Sequence, residues 1–254
     1  MLSRVINGPS DRYRLRGGDL SYSYDPLAVG GGSCPELALL MHMDGANGST
    51  TFTDSSDENN TFTVDQTPQI STAQSKFGGA SGEFLTTDSI SAPAISAYNL
   101  SNNDFTIEFW LRKTSASAGV VISIRNINNS ADSDSAFQIR SEANGNIDAF
   151  VKNASNSIIA RVTAGSITLN TWHHVAFVRN GSDFNLYIDG TSVGSDTSSD
   201  TVDSVENRLV IGRHQDATQG EFLQGYLDEV RILNGKAAWT SNFTPPAEAY
   251  TLEC

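Results

Sequence analysis

Trp172-His173-His174-Val175-Ala176-Phe177-Val178-Arg179-Asn180-Gly181-Ser182-Asp183-Phe184-Asn185-Leu186-Tyr187-Ile188-Asp189-Gly190 holds two runs of strand length, Trp172 to Arg179 and Phe184 to Ile188. Both are rich in β-branched and aromatic residues, and the polar segment Asn180-Gly181-Ser182-Asp183 between them is a hairpin turn. Asp189-Gly190 then makes a second tight turn, because this pair tolerates the positive φ that primed turns require. The stretch predicts an antiparallel hairpin.

The same grammar extends outward. Phe105, Ile107, Phe109 and Leu111 alternate with Thr106, Glu108, Trp110 and Arg112, the period-2 pattern of a half-buried strand. Leu37 to Met41, Val120 to Ile124, Phe137 to Arg140, Ile147 to Val151, Ile158 to Val162, Arg208 to Ile211 and Phe222 to Leu233 are further short runs, with Gly, Asn, Asp or Ser between them. No helical periodicity of useful length interrupts them. About a dozen strands with regular turn signals predict a sandwich or barrel. Composition agrees: only 18% of the 254 residues are charged, and the chain lacks the Ala, Glu, Lys and Leu bias of helical domains. A chain of this length buries roughly 70% of its unfolded surface, so its core needs no staples.

The net charge of −13 argues against nucleic-acid binding, since an acidic surface repels phosphate and releases no counterions. It fits a soluble surface or an affinity for divalent cations. Cys34 and Cys254, the only two cysteines, are too few for a disulfide scaffold and lack the spacing of a zinc site. They either pair across the ends of the domain or are unrelated thiols. Met1 to Leu20 contains no apolar run of signal-peptide length, and no stretch is long and apolar enough for a membrane span. Neither ordinary secretion nor membrane insertion is expected.

Residues 1–33 differ from the rest. Four arginines (Arg4, Arg12, Arg14, Arg16) stand against three aspartates (Asp11, Asp19, Asp25), a net of +1 that leaves −14 for the remainder. Tyr13, Tyr22 and Tyr24 add aromatic contact residues, and Gly30-Gly31-Gly32 makes a hinge. The stretch is expected to be an extended N-terminal arm that gains order against a partner, or else a disordered tail. Tyr and Arg are favoured at such contacts. The domain proper is residues 34–254.

Several of these strands carry a family resemblance. Phe105-Thr106-Ile107-Glu108-Phe109-Trp110, the Trp172–Gly190 hairpin, and Gly225-Tyr226-Leu227-Asp228-Glu229-Val230-Arg231-Ile232 are similar to motifs of the laminin G-like, concanavalin A-like superfamily. Asp44-Gly45, the glycine-rich Phe77-Gly78-Gly79-Ala80-Ser81-Gly82, and Trp239-Thr240-Ser241-Asn242-Phe243-Thr244-Pro245-Pro246 match further motifs, the last one resembling the ending of phage-borne members. The motifs run in family order over about residues 37–250. The resemblance implies an all-β, two-sheet antiparallel jelly-roll β-sandwich, concanavalin A-like, serving as a binding module for glycans or proteins and often holding a structural calcium ion.

For that calcium, the implied jelly roll sets the first and last strands side by side, bringing Asp44 toward Asp228. The turn at residues 78–82 is then placed to supply carbonyl oxygens, the ligands that hard cations take. Asp44 also suits its Asp-Gly turn, and Asp228 suits the capping of backbone donors. Catalysis is not expected. The retaining glycosidases of this superfamily need two carboxylates about 5–5.5 Å apart, supplied by a Glu-x-Asp-x-x-Glu motif that this sequence lacks. Asp228 and Glu229 are adjacent and point to opposite faces, and Glu108 stands alone on its strand. His173 and His174 are neighbours on one strand and read as packing residues. Trp110, Tyr187 and Tyr226 are candidate sugar platforms, although Trp and Tyr on strands are more often core. The Asp54-Asp57-Glu58 and Asp132-Asp134 loops read as solvated surface.

The expected function is that of a non-catalytic virion surface protein, of the capsid-decoration or tail-fibre type. Its arm would bind other virion proteins, and its sandwich would adhere to host-surface glycans. It would be assembled in the host cytoplasm, as an oligomer or part of a larger assembly. A cement protein without ligand and a polysaccharide-degrading enzyme are the alternatives.

Overall fold

The computed structural model describes residues 3–6, 11–14, 34–85, 87–126, 135–203, 207–213 and 221–253. The chain divides into two compact units, Met1–Gly31 and Gly32–Cys254. In the first, β1 (Ser3–Ile6) and β2 (Asp11–Arg14) pair antiparallel, Ser3 opposite Arg14 and Ile6 opposite Asp11. A hairpin thus forms at the start of a segment read from sequence as an arm. Val5, Ile6 and Tyr13 favour strands, and the Asn7-Gly8 pair between them is a turn signal. The rest of the arm, residues 1–2, 7–10 and 15–33, lies outside the described residues.

Among the described residues, the second unit holds fifteen strands. In chain order they are β3 (Leu37–Met41), β4 (Thr63–Asp65), β5 (Gln69–Ser71), β6 (Ser81–Phe84), β7 (Ser89–Ala92), β8 (Phe105–Lys113), β9 (Gly119–Asn126) and β10 (Ser135–Ser141). They continue as β11 (Ile147–Lys152), β12 (Ile158–Ala164), β13 (Trp172–Asn180), β14 (Asp183–Ile188), β15 (Thr191–Thr197), β16 (Asn207–Ile211) and β17 (Gly225–Asn234). Every strand pair is antiparallel. A seven-stranded sheet runs β12-β11-β10-β9-β16-β7-β4, and an eight-stranded one runs β15-β14-β13-β8-β17-β6-β5 with β3 also paired to β17. This is the two-sheet jelly-roll sandwich that the motifs imply.

The predicted hairpin is β13–β14, with Asn180 opposite Asp183 and Val175 opposite Ile188. At the next turn Asp189 and Gly190 both take positive φ, 50° and 75°, as the sequence requires. Gly190 is glycine for a second reason: a side chain there would collide with the backbone of Phe243, whose N–H donates to the Gly190 carbonyl at 2.8 Å.

The core lies between the sheets. Ile107, Phe109 and Leu111 of β8 and Val175 and Phe177 of β13 meet Ile122, Ile124, Phe137, Ile139, Ala149 and Val151 of the other sheet. The Phe137 and Phe177 rings stack across the layer at 6.2 Å. Truncating one such phenylalanine to alanine costs about 3–5 kcal/mol.

One reading from the alternating pattern needs correction. The second face of β8 is also closed: Thr106, Glu108 and Trp110 are buried together with Ala176, Val178 and Tyr187 of the neighbouring strands. The cover is the segment after β17, which lays Ala237, Trp239 and Phe243 on Ala176, Val178 and Tyr187, and Ala238 and Tyr250 on Leu37, Leu40 and Leu233. Period-2 alternation reports the pleat of a strand. It does not report what packs on the polar side.

Candidate functional site

Asp44 and Asp228 approach each other for the reason the fold implies. β3 and β17 are neighbours, Met41 opposite Val230, so the residues just past β3 lie beside the middle of β17. There β17 carries a bulge: Asp228 pairs with Trp110, but Arg231 pairs with Glu108, one residue more on β17 than on β8. Glu229, in the bulge, takes a left-handed φ of 50°. The extra residue re-aims the side chains around it.

The Asp228 carboxylate is half satisfied. Its Oδ2 accepts the N–H groups of Lys76 at 2.7 Å and Phe77 at 3.1 Å, so it does cap backbone donors. Its Oδ1 is buried with no hydrogen-bond partner among the described residues. Burial pushes the carboxyl up to about 7, the two N–H bonds oppose that shift, and the Glu229 and Asp44 charges add to it. Asp44 is raised too, by burial and by Glu229, against His42 and the Ala80 N–H. A side chain at Gly78, whose φ is 61°, would run into the Asp44 carboxylate, so the glycine-rich turn and Asp44 lie against each other. Glu229 accepts from Tyr250 N at 2.8 Å and lies 2.9 Å from His42 Nδ1. That bond chiefly raises the His42 pKa.

An orphaned, buried carboxylate oxygen with a second carboxylate and a glycine-rich turn nearby fits a hard cation, whose charge would favour the ionised form of both carboxyls. Among the described residues no cluster of three or more His, Cys, Asp or Glu side chains has metal-holding geometry. Ligands beyond Asp44 and Asp228 would therefore be backbone carbonyls or water.

On the covered face of the eight-stranded sheet, Glu108 is fully buried. Arg231 donates to its Oε1 from Nε at 2.8 Å and again from Nη2, and Trp239 Nε1 donates to its Oε2 at 2.7 Å. His174 Nε2 lies 3.2 Å from the same oxygen and 2.9 Å from the Tyr250 hydroxyl, and the Arg231 guanidinium sits 3.8 Å over the Tyr250 ring. Burial opposes ionisation, but the His174, Arg231 and Trp239 contacts outweigh it and hold Glu108 at about 2. No sequence signal announces this network. Glu108 is the only acid of its strand, and its partners lie on other strands or in the C-terminal segment.

Of the sugar-platform candidates, Trp110 and Tyr187 are buried. Tyr226 is half-buried and donates its hydroxyl to Glu83 at 2.7 Å. His173 Nδ1 lies 2.7 Å from Asp189 Oδ2. Asp54, read as solvated, is buried: it accepts from Leu40 N, Ser56 N and Asn60 N and from the Asn60 amide, stapling its loop to β3. Asp132 and Asp134 lie outside the described residues. Cys34 is disulfide-bonded, and the second cysteine, Cys254, also lies outside them.

A family model for the concanavalin A-like lectin/glucanases superfamily matches residues 84–240, from the end of β6 through β17 to Thr240. The chain belongs to that superfamily. Among solved structures, the binding domain of Paraclostridial Mosquitocidal Protein 1 superposes with a TM-score of 0.60 at 20% identity, over 80% of this chain and 50% of that one. The botulinum neurotoxin serotype G binding domain gives 0.59 at 15% identity, over 80% and 48%. This superfamily member thus spans about half the length of the toxin binding domains. Domain 4 of AbnA, a family GH43 extracellular arabinanase from Geobacillus stearothermophilus solved with arabinotriose, gives 0.57 at 17% identity. In that case 80% of this chain meets 94% of the other. Curated protein sequences give no match.

Proposed function

We propose that the protein is a non-catalytic carbohydrate-binding module displayed on a virion, with residues 1–33 joined to other virion proteins and the sandwich turned toward host-surface glycans. The carbohydrate part rests on one observation above all. The sandwich is like a whole domain, the arabinanase domain solved with arabinotriose, inside a superfamily described by its lectins and glucanases. The toxin likeness carries less, because it reaches only half of each toxin domain.

Two features support a role without catalysis. A glycosidase acid needs a raised pKa in reach of substrate. Glu108 is shifted the other way and is consumed by Arg231 and Trp239, whereas Asp228 is raised but fully closed off from solvent. The virion setting rests on the Tyr- and Arg-bearing arm and on the resemblance of the Trp239–Pro246 tail to phage-borne members.

A glycan array probed with the purified protein tests the binding. A blank array favours the cement role, and reducing-sugar release from polysaccharides would revive the enzyme. Deleting residues 1–33 should abolish incorporation into particles while the sandwich still folds; particles that retain the truncated protein would refute the arm's role. In this reading Asp44 and Asp228 also hold a structural calcium ion. Chelator then lowers the melting temperature, and Asp228→Ala removes the difference. An unchanged melting curve would retire the ion.

A further inference from the structure

The segment that covers the eight-stranded sheet leaves a gap near the end of β17. Residues 246–251 help to line an open cavity of 540 Å³, within the roughly 300–1,000 Å³ of small-molecule sites. Buried Arg231 and Tyr250 form its floor and half-buried Trp239 its aromatic wall. Lys236 and the exposed Glu248 and Thr251 make its rim. We propose that this cavity is a subsite for an uncharged sugar unit of a glycan, which rests on the carbohydrate-binding reading above and gives it a place.

The aromatic wall comes first. Trp239 is held at two points: Phe243 stacks on its indole at 3.9 Å and 8°, and Nε1 donates to buried Glu108. A ring fixed in this way meets the apolar C–H patch of a sugar with little further ordering. The same carboxylate fixes Arg231, so wall and floor are preorganised by one group.

Charge then selects the ligand. Arg231 is already bonded to Glu108 and laid over Tyr250, so it has little charge to offer an anion. The side chains of Lys236 and Glu248 have no hydrogen bond or ion pair among the described residues, and both line the cavity with opposite charges. The rim offers a cationic donor, an anionic acceptor and a hydroxyl that does both, which suits sugar hydroxyls that likewise donate and accept. A carboxylated or sulfated ring would bring its charge beside Glu248 with Glu108 beneath.

The test uses the full chain on immobilised neutral glycans, arabinotriose and cellotriose among them, and on acidic ones such as sialyllactose. Three variants are compared with the parent: Ala249→Trp, which fills the cavity, and Lys236→Ala and Glu248→Ala on the rim. Binding to neutral glycans should fall at least about tenfold in Ala249→Trp and several-fold in each rim variant, in line with losing a hydrogen bond to a charged group. Melting temperatures should stay unchanged in the rim variants. If Ala249→Trp misfolds, the rim variants alone decide. Neutral glycans bound equally by all the variants would overturn the subsite and leave the function standing, as would binding confined to acidic glycans. A blank array would overturn both.

Discussion

β8 and β12 are both strands of alternating sequence, and they end in opposite circumstances. β12 at the edge of the seven-stranded sheet keeps its promise: Ala160 and Val162 are buried, while Arg161 and Thr163, which alternate with them, are exposed. β8, with the cleaner alternation, is buried on both faces, including Thr106, Glu108 and Trp110. The acids of the two sheets' outer faces follow suit. Asp148 beside β12 is paired by Arg161, which donates from Nε and Nη2 at 2.8 Å each, but that arginine's side chain is 43% exposed. Glu108, Arg231 and His174 are all buried, and only Trp239 among the partners is partly exposed. A polar residue on a sheet's outer face is therefore cheap or costly to remove according to what the rest of the chain lays over it.

The largest expected effect follows directly. Glu108→Ala leaves Arg231 buried without its counter-charge and strips Trp239 Nε1 of its acceptor, which should cost about 3–5 kcal/mol in chemical denaturation. A loss under about 1 kcal/mol would mean that the covering segment is not firmly seated.

Acid should divide the two faces next. Glu108 has a folded-state pKa of about 2 against an ordinary 4.5. Its contribution is complete above about pH 4.5 and disappears as pH falls through the folded value. Melting temperature measured from pH 6 down to 2 should drop steeply below about 4.5, and less so in Glu108→Gln, which is already destabilised at neutral pH. Parallel curves for the two proteins would remove Glu108 as the source.

Smaller effects remain. Gly78→Ala forces a Cβ against the Asp44 carboxylate at a positive φ and should cost about 1–3 kcal/mol, along with any stabilisation by added calcium. Arg161→Ala on the open face should cost at most about 1 kcal/mol, because Thr163 and Arg140 still reach Asp148. If it matched the Glu108 loss, the contrast between the faces would be void.

Much of the sandwich was legible because its central strands follow local rules. The β13–β14 hairpin and the Asp189-Gly190 turn are written in neighbouring residues, and so is the β3 run. Strands β4 to β7 escaped notice because residues such as Ser81-Gly82-Glu83-Phe84 gain their order by pairing with β5 and β17, not by propensity. Polar β15 is held as an edge beside β14. For the candidate sites, the closeness of Asp44 and Asp228 could be anticipated from the pairing of first and last strands. The Glu108 network could not, since it depends on a bulge at Glu229 and on a tail that doubles back more than a hundred residues later in the chain. Asp54 was hidden for the same reason: its role as a staple shows only in the backbone groups of Leu40, Ser56 and Asn60.

The doubling-back of that tail has a mechanical side. Chain enters β3 at Leu37 and leaves β17 at Asn234, at the same end of their shared ladder, where Asn234 N donates to the Glu36 carbonyl at 2.7 Å. Tension across those two points alone would unzip the ladder one pair at a time. Because the chain continues over the sheet to Phe243 on Gly190 and Tyr250 on Glu229, a pull from beyond residue 250, once the Cys34 disulfide is reduced, must first peel away that overlay. The first link to yield is then a wall of the Trp239 cavity, so a tug strong enough to be felt would be felt at that cavity before the sandwich itself opened.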